Sequence, residues 1–314
     1  MRKLKARSKL AIITVPYHLR YNIGNFHLND ELARRFDQVE YFNLKEDFDT
    51  DADNFKDFDM IFINRPLRKV NHAKEGKIYN RLDFNSSKVP VVLFDTDTTM
   101  LKMKERIRIL KKIGVDYLLL GNNDNRLEKH RKGLPNTKCE WFPFGVNTKH
   151  FYDYKEERTI PYGFIGSFRN HHYPKRRELV NHFNHRLGDR FFFKRMIKEE
   201  YVDYLNKIKI FVTANDLDAG FFMKHLEVMA CGCMLLAEYT PLLTRVGFID
   251  GHDFISWTTI SECEMLALHY GTYDEEREIV ARHGQSEARK HTWKKRVDWM
   301  MRWLNATGNI SGIC

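Results

Sequence analysis

Two α/β domains, each built on a parallel sheet, are predicted by three observations on this 314-residue chain. Short apolar runs of strand length alternate with longer amphipathic segments, the pattern that crossover helices impose on parallel strands. The alternation breaks near residue 150 and then resumes. The length corresponds to roughly two domains of ordinary size.

Taken in order, LAIITV (10–15), FDMIFIN (58–64), VPVVLFD (89–95) and VDYLLLG (115–121) read as buried strands, because a strand covered on both faces carries an unbroken apolar run. LNDELARRF (28–36) and LKMKERIRILKKIG (101–114) have helical spacing and lie between them. FPFGVNTKHFYDYKEERTIP (142–161) combines prolines, a glycine and a charge run, and predicts the connection between domains. The second half continues with YGFIGSF, RRELVNHF, RFFFK, EEYVDYLNKIKIFVTA, GFFMKHLEVMA, CMLLA and FISW, again strand and helix in turn. EEREIVARHGQSEARKHTWKKRVDWMMRWL predicts two terminal helices interrupted at Gly284. The expected organisation is a first domain over 1–150, a second over 151–290 and a terminal helical segment, 291–314. No internal repeat or low-complexity tract is visible.

Composition narrows the function classes. With 43% hydrophobic and 30% charged residues and no apolar run near the roughly 18 residues of a membrane span, a soluble globular protein is expected. The start, MRKLKARSKLAIITV, runs into polar YHLRYN where a leader would place small residues, so a strand is expected there. Five scattered cysteines suggest no disulfide framework, which fits a reducing cytoplasm, that of the host for a viral protein. The sequons at Asn305 and Asn309 are discounted on the same ground. The net charge of +10 is concentrated in the first half of the chain, which points to an acidic partner there, although solvated basic helices give the same pattern.

HLEVMACGCMLLA (225–237) sets one carboxylate, Glu227, in an apolar run. An unpaired carboxylate there costs several kcal/mol, so Glu227 either pairs with Lys224, three residues back on the same helical face, or meets a polar ligand. Gly232 is the natural stop of that helix. Cys231 and Cys233 have no second cysteine pair or nearby histidine to complete a tetrahedral metal site and read as small packing residues.

GFFMKHLEVMACGCMLLAEYTPLL, with the later EEREIVARHG and HTWKKR and the earlier FPFGVNTKHF, YGFIGSF and KRREL, resembles the C-terminal half of GT-B glycosyltransferases. The nearest likeness is to the spore-maturation CgeB-like group of the large retaining family, and it covers most of 140–298. The matching positions are Gly220-Phe221, Lys224, Glu227, Ala230-Cys231-Gly232 and Thr240-Pro241. The resemblance implies the GT-B fold, two Rossmann-like parallel-sheet domains facing a cleft. It also implies a nucleotide-sugar donor, a UDP-sugar being expected, bound by the second domain, with no further cofactor and no essential metal. In that reading Glu227 accepts from the donor ribose hydroxyls, as a carboxylate can from a vicinal diol. A diphosphate needs cations or helix N-terminal N–H groups, and the GSFRNHHYPKRREL loop offers Gly166, Ser167, Arg169, Lys175 and Arg176. Lys224, Gly220 and Thr240 complete the expected donor set. One departure stands out: many retaining members have a first glutamate eight positions before the second, where this chain has Ala219 beside Asp218. That leaves retention or inversion open.

The acceptor would fall to the first domain, where the likeness is weak and the residues must serve. Ligands collect beyond the carboxyl ends of parallel strands, which nominates His18 and Asp95, either able to act as general base if the reaction inverts. The alternative for each is a cap or turn former. Asp95-Thr-Asp97 also resembles the metal-binding Asp-x-Asp of the GT-A fold, but a turn is favoured. Basic segments 64–88, 101–112 and 125–133 stand against an acidic stretch at 40–59. In 64–88, Arg65, Arg68, Lys69, Lys74, Lys77 and Arg81, interleaved with Tyr79 and Phe84, suit a phosphate backbone and an extruded base. The expected acceptor is therefore duplex DNA carrying a hydroxymethylated base. A cell-surface glycan or lipid is the alternative within enzymes, and a non-catalytic nucleic-acid-binding protein on the same scaffold is the alternative outside them.

Overall fold

The structure, a computed structural model, describes residues 8–14, 24–44, 52–64, 82–96, 101–168, 173–196, 198–215 and 220–308. It divides into two compact units, Met1–Pro143 with Lys294–Cys314, and Phe144–Trp293. Among the described residues no helix is long and apolar enough to cross a membrane.

The first unit holds a six-stranded sheet in the order β2-β1-β3-β4-β5-β6, every pair parallel. Its strands are β1 (Lys9–Thr14), β2 (Gln38–Asn43), β3 (Met60–Asn64), β4 (Val91–Asp95), β5 (Tyr117–Leu120) and β6 (Lys138–Trp141). The inner strands β3, β4 and β5 are buried throughout, which is why they are continuous apolar runs. The edge strands β2 and β6 are partly exposed and carry mixed residues, QVEYFN and KCEW.

Side chains alternate across this sheet. Ala11, Ile13, Ile61, Ile63, Leu93 and Leu118 form one core with Leu110 and Ile113 of α2 (Met103–Ile113) and Leu127 of α3 (Leu127–Gly133). α1 (Gly24–Ala33) precedes β2. On the opposite parity, Phe142 meets Phe94 edge-on at 5.3 Å and stacks on Trp299 at 5.9 Å, while Tyr117 meets Trp303 at 5.7 Å. Gly114 ends α2 at φ 77°, and a Cβ there would lie 2.7 Å from the backbone N of Asn85, so both conformation and space demand glycine.

The second unit holds a five-stranded parallel sheet ordered β11-β10-β9-β7-β8. These are β7 (Ile160–Ile165), β8 (Phe191–Lys194), β9 (Ile208–Thr213), β10 (Met234–Glu238) and β11 (Ile255–Trp257). The connecting helices are α4 (Pro174–Leu187), α5 (Lys198–Lys207), α6 (Met223–Ala230), α7 (Pro241–Val246), α8 (Ile260–Thr272) and α9 (Asp274–Ala288). α10 (Trp293–Thr307) follows. From β7 the chain moves outward to β8 and then returns to β9 on the other side of β7. That reversal makes the carboxyl ends of β7 and β9 the topological switch point, where a doubly wound sheet opens a crevice for ligands.

Local chemistry sets the helix ends. Thr259 and Glu262 form a reciprocal capping box on α8, and Pro241 follows the N-cap Thr240 on α7. α6 closes as a Schellman motif: Gly232, at φ 74°, donates to Met229 O at 2.9 Å and Cys233 N to Val228 O at 3.3 Å. Cys231 and Cys233 are fully buried on either side of that turn, and burial pushes the Cys233 thiol up to about 12. The expected interruption at Gly284 is not there, since α9 runs through it to Ala288 and the break falls at 289–292. A Cβ on Gly284 would lie 2.2 Å from Asp253 O, so the glycine serves close packing and not a stop.

Candidate functional site

The carboxyl ends of β7 and β9 gather several of the ionisable groups that the second unit buries. α6 begins after the β9–α6 connection and places Lys224 in its first turn and Glu227 one turn later. Lys224 Nζ donates to the carbonyl of Ile165, the last residue of β7, and lies 4.9 Å from the Phe164 ring centroid and 5.6 Å from that of Phe211. Burial, and then the Arg176 charge, lower its pKa to about 7 against the pull of Glu227. Gly166 explains how the ammonium reaches this position. Its φ is 149°, and a Cβ would lie 2.3 Å from Lys224 Nζ, so any other residue would occupy the space the lysine fills.

Arg176, in the first turn of α4, spans the two strand ends. Its Nε donates to Ala214 O just beyond β9 at 3.1 Å, one terminal nitrogen donates to Ser167 O just beyond β7 at 3.2 Å, and the guanidinium lies 4.1 Å from the Tyr173 ring. The planar fork is thereby held rigid between β7 and β9. Two cations thus converge at the switch point, and the neighbouring His225, held at about 3 by burial and then by these charges, is neutral.

Glu227 is 8% exposed, and its Oε2 accepts from the Tyr201 hydroxyl at 3.0 Å. Burial raises its pKa to about 7, opposed by that hydrogen bond and by Lys224. The helical spacing had pointed to a direct Lys224–Glu227 ion pair. Instead Lys224 turns to the end of β7 and Glu227 to Tyr201 of α5, so the two interact only at longer range. The carboxylate is left with an oxygen for a ligand.

Lys175 departs from its expected place among the diphosphate contacts. Its ammonium is held by Glu238 Oε1 at 2.5 Å and Thr258 O at 2.9 Å, so its charge is matched within the protein. Glu238, at the carboxyl end of β10, also accepts from Asn215 N at 2.8 Å. Thr240 is buried as the N-cap of α7, where its hydroxyl accepts from Leu242 N at 3.3 Å. Gly220 is buried at the entry to α6. Arg169 lies outside the described residues.

In the first unit, Asp95 ends β4 with a fully buried side chain that is ion-paired to Arg106 of α2, also fully buried. Arg106 Nε donates to His130 Nε2 of α3 at 3.3 Å, and His130 Nδ1 lies 2.8 Å from Arg126 O, so that nitrogen carries the ring proton. Burial, then Arg106, hold His130 at about 4. Asp95 is therefore the internal counter-ion of Arg106, which removes it as the base for an acceptor hydroxyl. Phe84, expected to face a displaced base, is 2% exposed and packs edge-on to Phe55 at 5.2 Å. His18, Asp97, Tyr79, Arg65, Arg68, Lys69, Lys74, Lys77 and Arg81 lie outside the described residues.

Tyr201 and Glu238 went unnoticed in the sequence. Glu238 had a signal, a carboxylate closing a buried strand at the end where ligands bind. Tyr201 had none, as one aromatic in an amphipathic helix.

Residues 158–302 match the family model described as glycosyl transferase-like. No curated protein sequence matches the chain. Among solved structures, HepE (Alr3699) of Anabaena, in complex with UDP and glucose, is similar over 96% of this chain and 100% of its own, with a TM-score of 0.66 at 9% identity. A sucrose-phosphate synthase of Thermosynechococcus elongatus is similar over 96% and 100%, with a TM-score of 0.65 at 14% identity. A glycosyltransferase of Rickettsia africae gives 0.58 at 8% identity over 96% and 99%. These likenesses and the two parallel sheets make the fold GT-B.

Proposed function

Starting from a glycosyltransferase domain at residues 158–302 in a chain with the GT-B fold, we propose that the protein transfers a sugar from a UDP-linked donor held by its second unit. The observation that carries this reading is the meeting of Lys224, Arg176 and Glu227 at the β7–β9 switch point. Glu227 accepts from the ribose diol. Lys224 and Arg176 hold the diphosphate, whose charge grows as the glycosidic bond to the sugar breaks, and donors fixed in place before the reaction stabilise such charge most effectively. Two fixed cations provide that charge from the protein itself, and no metal enters the proposal. HepE, solved with UDP and with UDP-glucose, sets the precedent for a UDP donor on this fold.

Glu227→Ala is expected to weaken UDP binding about tenfold or more in calorimetry, the loss of a charge-assisted hydrogen bond, while the unfolding midpoint stays within a few degrees. Unchanged affinity would sink the ribose assignment.

For the acceptor the proposal is duplex DNA with a hydroxymethylated base, and for a base-catalysed route His18 is the proposed base. The support is charge. Lys102 just before α2, Lys104, Arg108 and Lys111 along it, and Lys129 and Lys132 on α3, are exposed and make no ion pair among the described residues. None of the large exposed hydrophobic side chains lies on these two helices, which favours a phosphate backbone over an inserted lipid surface. Reversing Lys104, Arg108 and Lys111 to glutamate should lower the salt slope of DNA binding by about 3. An unchanged slope, or recruitment to anionic vesicles without DNA binding, would shift the acceptor to a glycan or lipid.

A further inference from the structure

We propose that Tyr201 is a positioning residue for the donor ribose, its hydroxyl holding the Glu227 carboxylate in the orientation that receives the diol. This rests on the reading of Glu227 given above and adds to it a residue from a different helix. Tyr201 lies on α5, its ring edge-on to the buried Phe151 at 6.1 Å, and its hydroxyl reaches Glu227 Oε2 on α6 at 3.0 Å. Among the described residues it is the hydrogen-bond donor to Glu227, while Lys224 Nζ donates to Ile165 O and keeps its other N–H groups for the diphosphate.

The chemistry assigns the hydrogen bond two effects. A carboxylate on a flexible two-carbon stem needs an anchor if one oxygen is to stay aimed at a ligand, and Oε2 is anchored while Oε1 is left. The same bond favours the ionised carboxylate, and only the ionised form accepts from both ribose hydroxyls, whereas the acid carries a proton of its own. Burial pushes Glu227 up to about 7, with Tyr201 first among the groups that hold it down. The phenol is itself raised well above 10 by burial and then by Glu227, so it remains a donor across neutral pH.

The sign follows. Donor affinity that depends on ionised Glu227 falls as pH drops through about 7, and removing the Tyr201 hydroxyl moves that fall to higher pH. Other groups face the pair. Lys224 loses its proton through about 7 in the opposite direction, His225 is neutral, Arg176 stays charged, and Cys231, on the far end of α6 near Arg158 and Asp153, is raised well above 9. They are present in parent and variant alike, so the ratio of the two reports what the hydroxyl does to Glu227, together with the pull of the Glu227 charge on Lys224.

The experiment measures UDP and 2′-deoxy-UDP binding by calorimetry from pH 6 to 9 for the parent, Tyr201→Phe and Glu227→Gln, with melting curves for each. The expected result for Tyr201→Phe is UDP binding about tenfold weaker at pH 7, with the deficit narrowing towards pH 9 but not closing, because Glu227 is then ionised in both while the anchor is missing from one, and with reduced preference for UDP over 2′-deoxy-UDP throughout. Glu227→Gln should bind weakly at every pH and lose that preference. No Tyr201→Phe deficit at any pH, or a deficit of equal size for UDP and 2′-deoxy-UDP, overturns the positioning role. If Glu227→Gln binds UDP like the parent, the ribose reading fails first; if it loses binding while Tyr201→Phe binds UDP and 2′-deoxy-UDP like the parent, only the role of Tyr201 fails. Should Tyr201→Phe melt far below the parent, the comparison is repeated at a temperature below both transitions, and the same outcomes decide it.

Discussion

Lys224→Ala is expected to lower kcat for sugar transfer by about 10²–10³, the usual cost of removing one pre-placed donor from a developing anion. The size follows from where the ammonium sits. Gly166 clears the space for it, Ile165 O orients it, and Phe164 and Phe211 flank it, so its place is fixed before a donor binds. Lys224→Arg should rescue little, because the pocket beside Gly166 already places Nζ where a Cβ would fall and a guanidinium is larger. The pH profile is the sharper readout. With Lys224 lowered to about 7, its charge is present below that pH and lost above it, so kcat/KM should decline on the alkaline side. Glu227, raised to about 7, gives the acid-side decline, and the parent should show a bell centred near neutrality. In Lys224→Ala the alkaline limb should vanish and the acid limb persist. A variant that keeps both limbs, or loses less than tenfold in kcat, would move the anion-holding role to Arg176 and the loop before α4.

How far the sequence discloses this molecule depends on burial. β1, β3, β4 and β5 are readable because both faces are covered and the strand becomes an apolar run. β2 pairs with β1 over six residues, from Lys9 with Gln38 to Thr14 with Asn43, yet its side chains face solvent at the sheet edge and QVEYFN carries no such run. β6, also at an edge, escapes for the same reason. Gly284 shows the converse failure: a glycine in a helical pattern reads as a break, but here it admits the backbone of Asp253 to within reach of α9. At the site, Glu227 and Lys224 stand out because a charge in an apolar helix demands an explanation. Their partners do not, since Ile165 O is a backbone atom and Tyr201 comes from another helix. Spacing along one helix reports which residues share a face, and it is silent on what the neighbouring elements offer them.

Asp95→Ala is expected to destabilise the first unit by about 3–5 kcal/mol, because it removes the buried carboxylate paired with the buried Arg106 guanidinium. The pair joins the end of β4 to α2, and through His130 to α3, so its loss loosens both helices that bear the exposed basic residues. Removing both charges should cost less than removing one. Asp95→Leu combined with Arg106→Met replaces the pair by apolar groups of similar size, and such exchanges are often near neutral. Denaturant unfolding of the two single variants and the double variant measures this directly, and single and double losses of equal size would count against a desolvated pair. A pH term accompanies it. His130 has its folded value lowered to about 4, so the unfolded chain binds the proton more readily between about 6.5 and 4. That contribution to stability is complete above about 6.5 and is lost as the pH falls towards 4. His130→Gln, which accepts the Arg106 hydrogen bond without titrating, should flatten the dependence in that window while preserving α2. If it does not, the acid sensitivity of the first unit lies in its carboxylates, and the Asp95–Arg106–His130 chain acts through charge pairing alone.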